Sequence, residues 1–409
     1  MAGAALLIRL VLSPWWGHGA DMGTFIGWGR QLAQTGLADF YSPDRWCDYL
    51  PGYLYVLWML GHIPVPNAID VATIAGNGGE PLRIILSFNY VLFKLPAMLA
   101  DIAAAWIVWR AVCGGRDMPR YWVAALYLFN PAILINSTIW GQVDGFHALF
   151  ILLGLYLLSR HRVLLAAVAL GYAVSVKPHA AVVLPVAAAY AWRRNIDTRR
   201  VIAAVIIVPL VFVATFLPFA GWSPLRAIEL VEERFTETAE QYQYATINAM
   251  NLWYLCGLNW RSDGDPAWLN LTPRVWAMVL VGASCAFSMA WVIQRQRRTA
   301  LWTASGLLFL GLFLFVTRAH ERHLFPVLAI LTAVAGMRRV IVYPMVVLSV
   351  TYVANAALSW LYMLPEYRSA ELCNPILGNS ICIAALAMVV LIPILMWRTD
   401  RTVKGVDET

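Results

Sequence analysis

Apolar runs of roughly 15 to 25 residues recur from one end of this chain to the other, and nothing else constrains its fold as strongly. In hydrocarbon each backbone N–H and C=O must find its partner within its own segment, so such runs fold as helices. The expectation is an all-α polytopic membrane protein. Of 409 residues 61% are hydrophobic and only 13% charged, against about 25% charged in an average globular chain.

The net charge of +7 comes almost wholly from arginine. In a membrane protein such an excess marks cytoplasmic loops. No Lys/Arg stripe with interleaved aromatics points to a nucleic-acid partner. Arginine groups fall at Arg116/Arg120, Arg160/Arg162, Arg193/Arg194/Arg199/Arg200, Arg295/Arg297/Arg298, Arg338/Arg339 and Arg398/Arg401. Placing all six inside makes helices near 83–112, 121–139, 144–158, 163–177, 179–193, 200–220, 272–294, 299–317, 323–337, 340–363 and 377–397 alternate correctly. With a short first helix over Ala2 to Trp16, which lacks a cleavable signal pattern, the expected total is about 12 transmembrane helices. The run PGYLYVLWMLGHI, 51–63, is too short to span and reads as a re-entrant or interfacial helix. It lies within a large first external loop, 17–82, that carries interfacial helices. The chain then divides into a transmembrane module (1–220), an external loop (221–271) and a C-terminal transmembrane module (272–409).

Most of the 23 acidic residues fall on the outer face, Asp39, Asp44 and the Glu229 to Glu240 stretch among them, which directs the search for chemistry there. Asp21 opens an amphipathic stretch with Phe25, Trp28 and Leu32; it reads either as a helix cap or as a carboxylate able to take a proton from a hydroxyl. Asp48 in DYLPG carries the same two readings. In WGQVDGFH, Gln142 and Asp144 can hold hydroxyls of a polar ligand, and Trp140 offers a stacking face or an interfacial belt residue. Lys177 in VKPHA either snorkels or binds phosphate. The run RAHERHLFP gathers Arg318, His320, Glu321, Arg322 and His323, a cationic surplus suited to an anionic ligand; salt-bridged snorkelling is the alternative. Lys94 and Asp101, seven apart on one helical face, read as an intramembrane ion pair with a functional or structural use. Asn248 and Asn251 share a face if their stretch is helical, and either address sugar hydroxyls or cap the helix returning to the membrane. The six cysteines show no metal spacing. At most one pair could form among Cys47, Cys256 and Cys373.

The order of these motifs resembles the polytopic GT-C glycosyltransferases that use polyprenyl-phosphate sugars. The nearest likeness is to bacterial relatives of the glycosylphosphatidylinositol (GPI) mannosyltransferases, with a more distant one to dolichyl-phosphate-glucose glucosyltransferases. It rests on the D-x3-F-x2-W loop from Asp21, DYLPG, KLPAMLAD, NPAILINSTIWGQVD, VKPHA, NAMNLW and HERHLFP; Leu50 departs from the family's proline. The resemblance implies a GT-C fold and a hexosyltransferase that moves a hexose, mannose first and glucose next, with inversion. The donor would be a polyprenyl-phosphate sugar and the acceptor an extracytoplasmic lipid, glycan or protein. Asp21 would be the general base. His320, Arg322, Arg318 and Lys177 would hold the donor phosphate, and Asp48, Trp140, Gln142, Asp144, Asn248, Asn251 and Glu321 would line the substrate pocket. No cofactor or metal is implied, and the setting would be a bacterial cell membrane. A transporter or flippase of lipid-linked sugars, or a membrane scaffold, is the alternative from another class; a transporter predicts internal repeats, and none is present.

Overall fold

The computed structural model describes residues 1–15, 17–42, 45–66, 68–74, 82–113, 120–295, 297–363 and 375–407. Trp16, Asp44, Arg116 and Cys373, named above, lie outside the described residues. The chain is helical almost throughout.

Three helices open it: α1 (Ala2–Leu12), α2 (Gly19–Thr35) and α3 (Pro51–Gly61). On α2 the residues Met22, Phe25, Trp28, Gly29 and Leu32 recur on one face and are buried, as the amphipathic spacing requires. Pro51 opens α3, where its missing N–H is harmless. The two helices cross in close contact. A Cβ at Gly61 would lie 1.8 Å from the Gly29 carbonyl oxygen, so any larger residue there would push the pair apart. Arg30 fastens the crossing by donating to the carbonyls of Gly61 and Ile63, both at 2.8 Å, and to Asn89 at 3.0 Å.

An antiparallel pair follows, β1 (Ile69–Ile74) and β2 (Leu82–Leu86). The helix expected from residue 83 therefore starts later, as α4 (Phe88–Cys113). Ile84 and Ile85 belong to a β-branched run that pairs as strand before the chain turns inward. The single helix expected over 121–139 is broken into α5 (Tyr121–Leu128) and α6 (Pro131–Leu134). α6 continues as a π-helical segment, Ile135–Trp140, and the bend is 47°. Pro131 forces the break, because it lacks an N–H and bars Asn130 from helical geometry.

The remaining elements are α7 (Asp144–Ser159), α8 (Val163–Val176), a 3-10 segment Pro178–Val183, α9 (Leu184–Arg193), α10 (Thr198–Ala214), α11 (Pro224–Gln241), β3 (Thr246–Ile247), α12 (Leu252–Leu255), α13 (Pro273–Gln294), α14 (Arg298–Phe315), β4 (Ala319–His320), a 3-10 turn Glu321–Leu324, α15 (Phe325–Met337), a turn Arg339–Ile341, α16 (Val342–Met363) and α17 (Pro375–Asp407).

Among the described residues, five helices are long and apolar enough to cross a membrane, those at Phe88–Cys113, Pro273–Gln294, Arg298–Phe315, Arg339–Leu361 and Pro375–Thr399, or six if the bent pair is one span. This is fewer than the twelve expected. The helices between α7 and α10 have 10 to 17 residues. At 1.5 Å per residue they reach ~15 to 26 Å, short of the ~30 Å hydrocarbon core. α15, at 13 residues, is buried on every side, as a helix apolar all round must be. The coarser expectation, a helical membrane protein, holds.

The main core joins α4, α7, α8, α14, α15 and α16. A second packs the first external loop, through Phe25, Phe40, Tyr53 and Leu57, against Phe216, Phe219 and Leu230. Within the bilayer Lys94 and Asp101 do not pair with each other. Lys94 donates to the carbonyls of Ser13 (2.9 Å) and Ile139 (3.3 Å), and Asp101 meets Arg9 (3.5 Å) and Ser137 (2.6 Å). Both charges tie α4 to α1 and to the π-helical segment. Cys47 and Cys256 are free thiols.

Candidate functional site

The chain between α1 and α2 places Asp21 in the first helical turn, where a carboxylate is favoured by the helix dipole. Its side chain does not cap α2; that position belongs to His18. Instead Oδ2 accepts from the Trp140 indole and the Gln142 amide, both at 2.6 Å. His18 Nδ1 lies 3.0 Å away, with its ring stacked on Trp140 at 4.7 Å. Trp140 and Gln142 reach Asp21 because the π-helical segment ends at Gly141. That residue has φ +93°, and an added Cβ would sit 2.2 Å from Met22 Sδ. Burial opposes ionisation of Asp21, but the His18 hydrogen bond, the charge of Arg322 and the Trp140 N–H hold its carboxyl well below the usual range. Among the described residues Oδ1 has no partner.

Asp144 opens α7 and is fully buried. One oxygen takes the Lys177 ammonium and the other accepts from Asn136 at 3.0 Å, which also donates to the Tyr352 hydroxyl at 2.7 Å. Lys177, at the outer end of α8, is thus already paired. Burial lowers the pKa of its ammonium and Asp144 partly restores it.

The turn after α14 separates the members of the RAHERH run. Arg318 has a left-handed backbone (φ +63°) and donates to Asp263 at 2.7 and 3.4 Å and to the Ala239 carbonyl at 2.5 Å. The fully buried Asp263 carboxylate also takes Arg274 at 2.8 Å. β3 pairs in parallel with β4, Thr246 with Ala319 and Ile247 with His320, and locks the external loop onto this turn. His320 lies edge-on to Tyr242 at 5.6 Å. Burial, and then the charge of Arg322, press its pKa far below the ordinary value, so the ring is neutral. Arg322 has a single direct contact among the described residues, Glu321 at 3.4 Å.

Asp48 and Arg322 line a cavity of about 260 Å³, with Lys177, His179, Arg234, Tyr242, Arg318, His320 and His323 around it. Asp48 does not cap α3, whose N-cap is Leu50. It has no ion pair among the described residues. Burial raises its pKa, opposed by the charge of Arg322. Glu321 behaves alike. Among the described residues that line the cavity, Arg318 is paired with Asp263, Lys177 with Asp144 and Arg234 with Glu237, while Arg322 has the longest ion pair, Glu321 at 3.4 Å.

Asn248 and Asn251 do not share a helical face. Asn248 has φ +57° and its side chain accepts from Asn259 and Trp260. Asn251 caps the short α12, not the helix that returns to the membrane, and holds the carbonyls of Phe313 and Val316. Both build the loop. The sequence reading missed His18, Tyr49, Tyr242 and Arg234. His18 could have been found three residues before Asp21; Tyr242 and Arg234 arrive from a distant helix and carry no local signal. Arg234 donates to the Cys47 carbonyl at 3.2 Å and pairs with Glu237, joining α11 to the first loop.

Comparison with known proteins redirects the reading. Residues 63–245 match the family model of PIG-U, a GPI transamidase subunit. The matched stretch is under half of the chain; it includes Trp140, Gln142, Asp144, Lys177 and Arg234 and leaves out Asp21, Asp48 and the 318–323 turn. No curated protein matches the chain. The match overturns the resemblance to GT-C glycosyltransferases and, with it, hexosyl transfer, the transporter alternative and the polyprenyl-phosphate sugar donor with its acceptors. Nor does the match support a bacterial cell membrane. The chain is an integral membrane protein by its apolar helices.

Proposed function

We propose that this chain is a membrane-embedded binding subunit that holds the phosphate-bearing headgroup of a glycolipid at the outer membrane face. In this reading it works inside a larger protein assembly of the kind in which PIG-U is a subunit. The observation that carries the proposal is Arg322, a partly buried guanidinium on the cavity wall whose one ion pair among the described residues is 3.4 Å long. A guanidinium fork suits a phosphate, and basic pockets between membrane helices hold lipid headgroups. The free Oδ1 of Asp21 accepts from a headgroup hydroxyl, with Trp140 and Gln142 orienting the carboxylate. Lys177, His320 and Asp48 line the same space.

The topology that goes with this role keeps the arginine groups cytoplasmic, with 17–82 and 221–271 outside and the transmembrane modules 1–220 and 272–409 meeting at the site. About twelve crossings result if the short helices complete their spans with flanking turns. The test is saturable binding of a radiolabelled glycosylated phosphatidylinositol to purified protein in nanodiscs. Competition by unlabelled phosphatidylinositol but not by a diacylglycerol glycoside supports the reading. Equal competition by both overturns it.

A further inference from the structure

A second cavity, of about 480 Å³, opens between α8, α9 and α10 toward the end of α8 away from Lys177. α8 has 14 residues, ~21 Å at 1.5 Å per residue, which separates this space from the cavity that Arg322 borders. α10 packs tightly on α8 at Gly171, where an added Cβ would lie 2.8 Å from the Val208 carbonyl oxygen. Toward the start of α8 the helices leave a groove walled by residues such as Ala188 and Val205, and every residue lining it is apolar. Two arginine turns border its end. Leu158 and Val163 of the groove bracket the turn that carries Arg160 and Arg162. Ala191 and Val201 bracket the turn that carries Arg193, Arg194, Arg199 and Arg200. The one acid in these turns, Asp197, accepts from the Arg199 backbone N–H at 3.1 Å as the cap of α10. Arg160, Arg162, Arg199 and Arg200 are exposed. Tyr190 in α9 feels the charges of both Arg194 and Arg298, so a third arginine turn comes close.

Positive charge alone orients a chain in a membrane and calls for no groove beside it. We infer that the groove and its arginine turns form a binding site for a polyanionic phospholipid, with an acyl chain in the groove and a headgroup of two or more phosphates on the arginines. Bilayer tails are as apolar as the groove, so the tail fixes the lipid's place and the charges decide which lipid is held. Basic pockets between membrane helices hold such headgroups, and the guanidinium fork fits phosphate oxygens. Six arginines stand against one acid in the two turns. A single phosphate answers only part of that charge, which is why the site selects for more than one.

The experiment compares retention of tail-labelled phosphatidylinositol bisphosphate and phosphatidylinositol by the full chain in phosphatidylcholine nanodiscs. Wild type is expected to hold the bisphosphate at least ~10-fold more tightly. The paired change Arg199→Gln and Arg200→Gln should lower that preference ~10-fold, since each arginine near a membrane surface is worth about fivefold. Arg199→Lys with Arg200→Lys should keep most of it, so a folding defect cannot imitate the result. Ala188 is exposed on the groove wall, and Ala188→Phe should weaken lipid retention by filling the groove without displacing the core. Arg322→Gln should leave the preference unchanged, because it borders the other cavity. Soluble inositol trisphosphate should compete weakly; competition equal to the lipid's means that no tail is held and overturns the lipid assignment. Equal retention of both lipids by wild type, an unchanged preference in the paired Gln variant, unchanged retention in Ala188→Phe, or loss of the preference in Arg322→Gln each overturns the inference.

Discussion

Arg318 and Arg322 stand four residues apart in one short turn, yet the fold treats them in opposite ways. Arg318 is enclosed by Asp263 and the Ala239 carbonyl, and Asp263 in turn holds Arg274. Arg322 faces a cavity with one long contact. The first fastens the 221–271 segment to the turn after α14; the second has only a long ion pair among the described residues. Sequence adjacency treats the pair as one cationic cluster, and the structure divides it into a latch and a site.

The largest expected effect breaks the latch. Asp263→Asn removes the shared acceptor of two arginines at a fully buried position, which costs on the order of 2 kcal/mol. For a chain of this size that is roughly 2 °C in melting temperature, readable by thermal denaturation in detergent. Arg322→Gln should leave the melting temperature within about 1 °C and instead weaken phosphate-lipid binding ~10- to 100-fold, the range for one lost charge-assisted contact. If both variants lose stability alike, the division between latch and site is wrong.

Acidification should sharpen the contrast, because the acids of the two regions shift in opposite directions. Burial opposes ionisation of Asp263, but Arg318 and Arg274 lower its pKa below the ordinary carboxylate value. Its stabilisation is therefore present above the unfolded pKa of about 3.9 and is lost as pH falls through the lower folded value. Burial raises Asp48. As pH falls through its raised value the folded state takes up a proton before the unfolded state does, so stability rises. As pH is lowered toward the ordinary carboxylate value of about 3.9, Asp48 should add to wild-type stability, and Asp48→Asn should show a smaller gain. The smallest effect belongs to Arg318→Lys, which keeps the charge but loses the fork onto Asp263; under ~1 kcal/mol is expected in the same melts.

What was legible in the sequence follows the range of the forces involved. Helix positions from α7 to α17 lie close to the apolar runs, since burial in hydrocarbon is written locally in each segment. The acidic stretch near Glu229 folds as the amphipathic helix α11, which buries Ala227, Leu230 and Arg234 on one face. Pairing was not legible. Lys94 and Asp101 share a helical face, but each bonds to α1 or its C-terminal end and to the π-helical segment instead of to the other. Arg318 could not be separated from Arg322 without knowing that Asp263, 55 residues earlier, returns to the turn. The number of crossings was not legible for a related reason: apolarity shows that a helix is buried without saying in what, and α15 is buried in protein on every side.

The most direct test of the account is phosphate-lipid binding by Arg322→Gln in nanodiscs, measured on protein whose melting temperature matches wild type. The account predicts that retained phosphatidylinositol falls at least ~10-fold, while retention of an uncharged diacylglycerol is unchanged. Undiminished phosphatidylinositol binding by a folded Arg322→Gln protein would contradict it.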